Sequence, residues 1–349
     1  MTGPTIRPCR GDDEAALPAL FFNSFGRRVT AEQWRWKLRG NPSPVDNAWT
    51  AASADNAPVF HYAGIPQRFS FDRELTTCMV AVDAMTAPSH RRQGLLTRGV
   101  QTIHSAWRDG GVPFVLGLPN EQWGSRIRSL GWQTLFPLRW LIRPLRPWSM
   151  LCRQINLPTP ELPVALDSWW NRFFSRQPSR DPALRMRHAR SGDDAFNRIW
   201  SHCRNNSMFS TVRDGAWVEW RFLSAPHRNY VVTIVERGSA PVGYSAHYVL
   251  TGARKTHGVL ADILTKTADG AARETLLSKV IAELCTSNAE SLATLAIPGT
   301  AHYRWLRRAG FFPRREFSVE MVPLRSSLPI EAMRRTHNWT LSGADFDVV

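Results

Sequence analysis

The chain has 349 residues, 43% of them hydrophobic, with 44 Lys+Arg against 29 Asp+Glu for a formal net charge of +15. That length predicts two ordinary domains, and the composition excludes a disordered or fibrous chain. The positive balance favours anionic partners: phosphorylated cofactors, nucleic acid or a membrane surface. Zinc spacing and aromatic RNA-binding motifs are absent, so nucleic acid is the less favoured of these. The five cysteines, Cys9, Cys78, Cys152, Cys203 and Cys285, form no CxxC pair. Neither a disulfide framework nor a metal site is expected, and a reducing cytoplasm fits. The first residues lack the apolar core of a signal peptide, and no apolar run is long enough to predict a membrane span.

In chain order, a strand at Ile6 precedes a helix over Asp12–Asn23 and a second helix over Ala31–Arg39, with Trp34 and Leu38 on one face. Strands follow at Ala48–Ala52, Val59–Ile65 and Leu75–Met85. Next comes the basic loop Arg91-Arg92-Gln93-Gly94, then a helix whose Leu96, Val100, Ile103 and Trp107 fall on one face. A strand at Val112–Leu118, a helix at Glu121–Ser129 and a pair of strands within Thr134–Arg143 complete the set. The order β-α-α-β-β-β-α-β-α-β-β predicts an α/β sandwich with one mixed sheet. A helix start carries unpaired N–H groups and the positive end of the macrodipole. With a glycine and two arginines beside it, the loop reads as an anion cradle, most simply for a phosphate or pyrophosphate.

The chain also contains itself twice. Arg7, Arg10, Asp12 and Asp13 recur as Arg187, Arg190, Asp193 and Asp194. Trp34, Trp36 and Pro42 recur as Trp217, Trp220 and Pro226, and the Pro58-Val59 turn recurs as Pro241-Val242. The stretch from Pro119 to Gly131-Trp132 matches Pro298 to Gly310-Phe311. The offset stays near 180, so two copies of one fold are expected: residues 1–147 and 183–325, joined by a Pro-rich linker over 148–182 and followed by a helix and tail over 326–349. Within the linker, Val164–Arg176 reads as a short amphipathic helix that docks on a domain, with a membrane-surface helix as the alternative.

This order and this loop resemble the GCN5-related N-acetyltransferase superfamily in a tandem two-domain form. In that family the acyl-CoA pyrophosphate lies on a Q/R-x-x-G-x-G/A loop. Here Arg91 and Gly94 match it, while Leu96 stands where the family has a small residue. Met85-Thr86-Ala87-Pro88 is similar to the family's strand end, where backbone groups pair with pantetheine. Asn120 and Gly131-Trp132 resemble the later asparagine and "GF" pair. The resemblance implies two α/β sandwich domains, each with a central mixed sheet flanked by helices, and acetyl-CoA or another acyl-CoA as co-substrate without a metal. It implies a cofactor site of Ala84, Met85, Thr86, Arg91, Arg92, Gln93, Gly94, Leu95, Leu96, Thr97, Asn120 and Trp123. Ile127 occupies the place of the family's general-acid tyrosine. In the second copy Asp269 and Glu274 would oppose a pyrophosphate, so that copy is expected to have lost the cofactor.

For a base, Asp83 is the one carboxylate in the apolar strand 78–85, where burial would raise its pKa; its alternative is a hydrogen-bonded or solvated strand-end aspartate. Asp345, in the tail with Asp347, could reach back into a cleft, or could simply be solvated. His61, His90 and His104 stay undecided between core and site. The expectation is a cytoplasmic N-acyltransferase, acetyl by preference, for a small amine, anionic or not, such as an amino sugar or surface-polysaccharide precursor. Its rivals are a transferase using aminoacyl-tRNA, of the peptidoglycan-branching type, and a non-catalytic binding protein of the same fold.

Overall fold

The computed structural model describes residues 4–43, 47–53, 56–72, 74–119, 123, 126–155, 161–174, 181–252 and 255–346. The chain forms two compact units. The first holds Met1–Phe136, Ser224–His227 and Ser318–Arg335. The second holds Pro137–Leu223, Arg228–Phe317 and Thr336–Val349.

The first unit opens with β1 (Ile6–Pro8), α1 (Leu17–Phe25), α2 (Ala31–Leu38), β2 (Ala48–Ala52), β3 (Pro58–Phe71) and β4 (Glu74–Thr86). Then come α3 (Leu95–Asp109), β5 (Phe114–Gly117) and α4 (Arg126–Ser129). The single helix expected over Asp12–Asn23 is instead a 3₁₀ turn, Gly11–Ala15, followed by α1. The break has a local cause. The Asp13 carboxylate accepts from the Arg10 amide and from the Arg7 fork, and Pro18 fits only a first helical turn. α2 starts where Thr30 Oγ1 accepts the Gln33 amide. α3 buries Leu95, Val100, Ile103 and Trp107 against Phe60, Tyr62 and Met79 of the sheet. Leu95 rather than Leu96 is the deep member, with Leu96 half-buried beside it.

β6 (Gln133–Pro144) leads into the second unit, with α5 (Pro147–Gln154), α6 (Glu161–Phe174), β7 (Leu184–His188), α7 (Ala195–Cys203), β8 (Phe209–Thr211) and α8 (Gly215–Val218). It continues through β9 (Val231–Arg237), β10 (Ala240–Thr251), β11 (Thr256–Thr265), α9 (Gly270–Thr286), β12 (Ser291–Ala296) and α10 (Ala301–Arg308). The chain ends with β13 (Phe312–Pro323), α11 (Ile330–Met333) and β14 (Trp339–Thr340). The strand pair expected over 134–143 is one strand, whose end lies antiparallel to β12 from Arg139–Ala296 to Pro144–Ser291. α5 falls inside the proline-rich stretch, and Pro147 supplies its first residue, a position where proline's missing N–H costs nothing.

In the first unit the strands run β1-β2-β3-β4-β5 with the end of β13 beside β5, Glu320 opposite Gly117. In the second they run from the end of β6 through β12-β11-β10-β9 to β7. Each sheet is mixed: β4 is parallel to β5, and β11 to β12. The units do not follow the boundaries expected at 1–147 and 183–325: Ser224–His227 and Ser318–Arg335 belong to the first unit, and the second runs on from Pro137 through the expected linker and includes the tail from Thr336. The last strand of each copy ends in the other unit.

The repeat is visible bond by bond. Arg7 forks onto Asp13 at 2.7 and 2.9 Å, and Arg187 forks onto Asp193 in the same way. Gly131 and Gly310 both have left-handed backbones, at φ 84° and 82°. Arg128 then donates to the Trp132 carbonyl at 3.0 Å, as Arg307 donates to that of Phe311 at 2.6 Å.

Buried histidines give the fold a pH dependence. Burial pushes His104 down to about 4, and burial with the nearby Lys37 charge pushes His61 to about 3, both from an ordinary 6.5. The depressed side is the folded one, so the unfolded chain takes up protons first. Their contribution is full above about pH 6.5 and is lost as pH falls toward 4. His104, which meets the Tyr62 hydroxyl at 3.0 Å, gives the test. Between about pH 8 and pH 5, a His104→Leu variant should lose about 2 kcal/mol less stability than the parent in urea unfolding. Parallel pH curves for the two proteins would refute it.

Candidate functional site

β4 is paired with β3 along its whole length, from Glu74 opposite Phe71 to Thr86 opposite Phe60. Its parallel pairing with β5 covers only Met79–Val115 and Val80–Leu116. The remainder of β4, residues 81–86, therefore has a ladder on the β3 side only. At the start of that part lies a β-bulge: Tyr62 alone spans Asp83 and Ala84, and Asp83 adopts φ 51°. Ala87 donates its amide to the Val59 carbonyl at 2.8 Å. In an alternating antiparallel ladder, Met85 then turns its peptide groups to β3 and Thr86 turns its own away. The Thr86 carbonyl does so, accepting from Arg91 Nε at 3.1 Å.

From Thr86 the chain makes a turn over Pro88–His90 and reaches the basic loop. Gln93 Nε2 donates back to the Ser89 carbonyl at 3.1 Å, which folds the loop on itself. Arg92 and Gly94 both lie in the left-handed region, at φ 63° and 71°. Gly94 is the N-cap of α3 and offers no capping side chain. The amides of Leu95, Leu96 and Thr97 thus face outward at the positive helix end, with Arg91, Arg92, Gln93 and Thr97 exposed around them. A Cβ on Gly94 would meet nothing within 4 Å, so the space above this helix start is open. Leu96 leans on the core. Its bulk is thus directed into the protein, although the family pattern has a small residue there.

The structure brings most of the expected cofactor residues together. Ala84, Met85 and Thr86 form the freed strand end, and Arg91 through Thr97 form the loop and first turn. Met85 is 1% exposed, which leaves its side chain no route to a ligand. Trp123 is half-buried against the same core, its ring 6.5 Å from that of Trp132. Asn120 lies outside the described residues, as do Asp347 and residues 121, 122, 124 and 125 of the helix expected over Glu121–Ser129. Ile127 is buried in the core.

The two expected catalytic carboxylates are both engaged. Asp83 meets Lys37 Nζ at 2.7 Å, with both side chains nearly buried. The ammonium also sits 5.4 Å over the Trp34 ring. Asp345 belongs to the second unit. Its carboxylate accepts from Arg213 Nη2 at 2.6 Å and from the Ser342 amide at 2.6 Å. Arg213 also holds Asp262, which accepts the Tyr244 hydroxyl at 2.6 Å. Arg221 fastens the same tail by donating to the Ala344 and Phe346 carbonyls. The solvated tail that Asp345 might have had is therefore not found. Lys37 and Arg213 escaped sequence reasoning. A signal existed for Lys37: it follows Trp36 as Arg221 follows Trp220 in the second copy. His61 and His104 are core residues, His61 with Cys9 Sγ 3.6 Å from Nδ1.

The second copy shows the contrast at its own helix start. Asp269 caps α9 by accepting the Ala272 amide at 3.1 Å, and Arg237 holds that carboxylate with a fork of 2.8 and 3.0 Å. A carboxylate stands where the first copy leaves amides bare. Among the described residues, no cluster of His, Cys, Asp and Glu could hold a metal ion, and no helix is long and apolar enough to cross a membrane.

No family model and no curated protein matches the sequence. Solved structures do match in fold. A GCN5-related N-acetyltransferase from Anabaena variabilis aligns with TM-score 0.68 at 11% identity, over 92% of this chain and 73% of that one. An Enterococcus faecalis protein of unknown function, a probable N-acyltransferase, aligns with TM-score 0.66 at 11% identity, over 92% and 72%. Saccharomyces cerevisiae N-myristoyltransferase with bound myristoyl-CoA aligns with TM-score 0.63 at 13% identity, over 97% and 84%. The fold is that of the GCN5-related N-acetyltransferases, as the loop and the repeat implied.

Proposed function

We propose that this chain, built on that fold, is an acyl-CoA-dependent N-acyltransferase whose cofactor site lies in the first unit. One observation carries the reading. An uncapped helix start rich in arginine follows directly on a strand that has parted from its neighbour. The bare amides of Leu95, Leu96 and Thr97, with Arg91 and Arg92, hold the pyrophosphate. The pantetheine arm runs along the freed edge of β4, which supplies backbone partners in the manner of an added strand. The resemblance in fold to enzymes of acyl-CoA chemistry supports this choice of anion.

The acceptor amine attacks the thioester carbonyl. A C–N bond forms, the C–S bond breaks, CoA leaves through its sulfur, and the amine proton passes to solvent. Thr86 rather than Met85 directs a peptide N–H to the side of β4 that β5 has left, so Thr86 is the candidate for polarising the carbonyl. Asp83 is assigned to holding the bulge through Lys37, and Asp345 to holding the tail. Ile127 has no proton to give the leaving sulfur. Acetyl is the preferred acyl group and a small amine the preferred acceptor, in keeping with the positive charge and a phosphorylated or acidic substrate such as a sugar nucleotide.

Titration calorimetry with acetyl-CoA and longer acyl-CoAs tests the proposal, followed by thiol release with a panel of amines. Binding of one acyl-CoA per chain is expected, with release of free CoA only when an amine is present. Absence of binding across the acyl series would refute the reading.

A further inference from the structure

Among the described residues, exposed large apolar side chains gather most densely on two neighbouring helices, α5 and α6. Trp148 and Leu151 on α5, with Ile155 just past its end, form a narrow exposed stripe, 37%, 47% and 57% accessible. On α6, Trp169 and Phe173, one turn apart on one face, are 55% and 68% accessible. These five form the largest group of exposed large hydrophobics within one short stretch among the described residues. They are not the inner face of a loose helix. α6 already has an inner face: Asp167 accepts the Trp148 and Ser149 amides, Trp170 Nε1 donates to the Pro144 carbonyl, and Asn171 Nδ2 donates to that of Leu145. Trp169 and Phe173 stand on the opposite side, stacked on each other at 5.6 Å. A helix docked firmly on one side and apolar on the other presents a second surface to something.

The surroundings specify what. Arg172 lies exposed between Trp169 and Phe173 in sequence. Phe312, partly exposed, stacks on Trp170 at 6.3 Å, and Arg307 lies 5.3 Å over the Phe312 ring. The stretch 144–182 carries five arginines and three acidic residues, and one of those acids, Asp167, is spent inside. Aromatic rings beside arginines at an apolar surface match the boundary of an anionic bilayer, where rings sit among headgroups and guanidinium groups meet phosphates. The aliphatic members Leu151 and Ile155 separate this surface from a nucleic-acid platform, since bases stack on rings and guanidinium planes rather than on branched alkyl groups. The net charge of +15 argues against a second copy of the same chain, which the field would repel, and for a negatively charged partner.

We propose that the outer face of α5 and α6 docks on the surface of an anionic lipid bilayer, inserting Trp169 and Phe173 to headgroup depth without spanning it. The proposal is independent of the acyl-transfer reading, because it concerns residues of the second unit only.

Co-sedimentation with sucrose-loaded vesicles tests it. The full chain should bind vesicles of phosphatidylcholine and phosphatidylglycerol in equal parts, bind phosphatidylcholine alone far less, and release as salt rises. Trp169→Ser with Phe173→Ser should weaken binding to the mixed vesicles by about tenfold or more, with an unchanged thermal unfolding midpoint because both side chains already face solvent. Arg172→Glu should weaken binding to the mixed vesicles while leaving the weak phosphatidylcholine binding as it was. Failure of the parent to bind mixed vesicles overturns the proposal, as does undiminished binding by the double variant. Two other results also overturn it by naming another occupant. One is a parent that dimerises in sedimentation equilibrium and a double variant that does not. The other is transfer-RNA binding lost in the double variant while vesicle binding persists.

Discussion

Gly94→Asp is expected to abolish acyl-CoA binding in a protein that still folds. The substitution places at the start of α3 what the second copy already has at the start of α9, where the Asp269 carboxylate occupies a helix amide. An aspartate at position 94 would cap the amides that the phosphates need and add a like charge where they must sit. Losing two charge-assisted hydrogen bonds costs ~3–4 kcal/mol, or a factor of several hundred in affinity. The cost to the fold is smaller. Nothing lies within 4 Å of an added Cβ, and only the left-handed backbone at φ 71° resists, a strain of about 1 kcal/mol. Calorimetry with acetyl-CoA and a thermal melt read the two effects separately. Retained affinity would remove the loop from the site, and Gly94→Ala divides the result further: it carries the same backbone strain without the charge, and should keep most of the binding.

That loop was legible in the sequence because its chemistry is local. Arginines, a glycine and the apolar period of the following helix are all neighbours in the chain, and the helix dipole needs no distant partner. The repeat was legible for a related reason: a salt bridge such as Arg7–Asp13, spaced six residues apart, recurs as Arg187–Asp193 at the same spacing. What escaped was whatever depends on pairing across long separations. The end of β13 completes the first unit's sheet beside β5 from some two hundred residues away, which no hydrophobic alternation encodes. Asp83 read as a buried acid awaiting a task, because its partner Lys37 sits on a helix 46 positions earlier. The parting of β4 from β5 was equally hidden: it is a property of two strands and a bulge, and an aspartate marks the left-handed backbone at Asp83 far more weakly than a glycine would.

Arg213→Met should be the most destabilising single substitution in the second unit, and its effect should depend on pH. Arg213 is 0% exposed and stands between the carboxylates of Asp262 and Asp345 at 2.8 and 2.6 Å. Breaking a buried pair by removing one partner costs ~3–5 kcal/mol, since the surviving charge has lost both water and counter-ion. Here two like charges survive. Burial already holds the Asp345 carboxyl above its ordinary range, offset by the Arg213 charge. Without the guanidinium that offset disappears, and one of the carboxylates takes up a proton on folding. In the variant the folded pKa is then raised above the unfolded one. The penalty is full near pH 7 and relaxes as pH falls through the raised folded value toward the unfolded one. Urea unfolding at about pH 7 and about pH 5 should therefore show the gap between parent and variant narrowing in acid, opposite to the trend the buried histidines impose on the parent. Asp345→Asn separates structure from catalysis at the same locus. If the carboxylate only fastens the tail, the variant melts earlier yet transfers acyl groups at the parent rate per folded molecule. A fall in kcat by two orders of magnitude with an unchanged melt would instead make Asp345 a participant in the reaction.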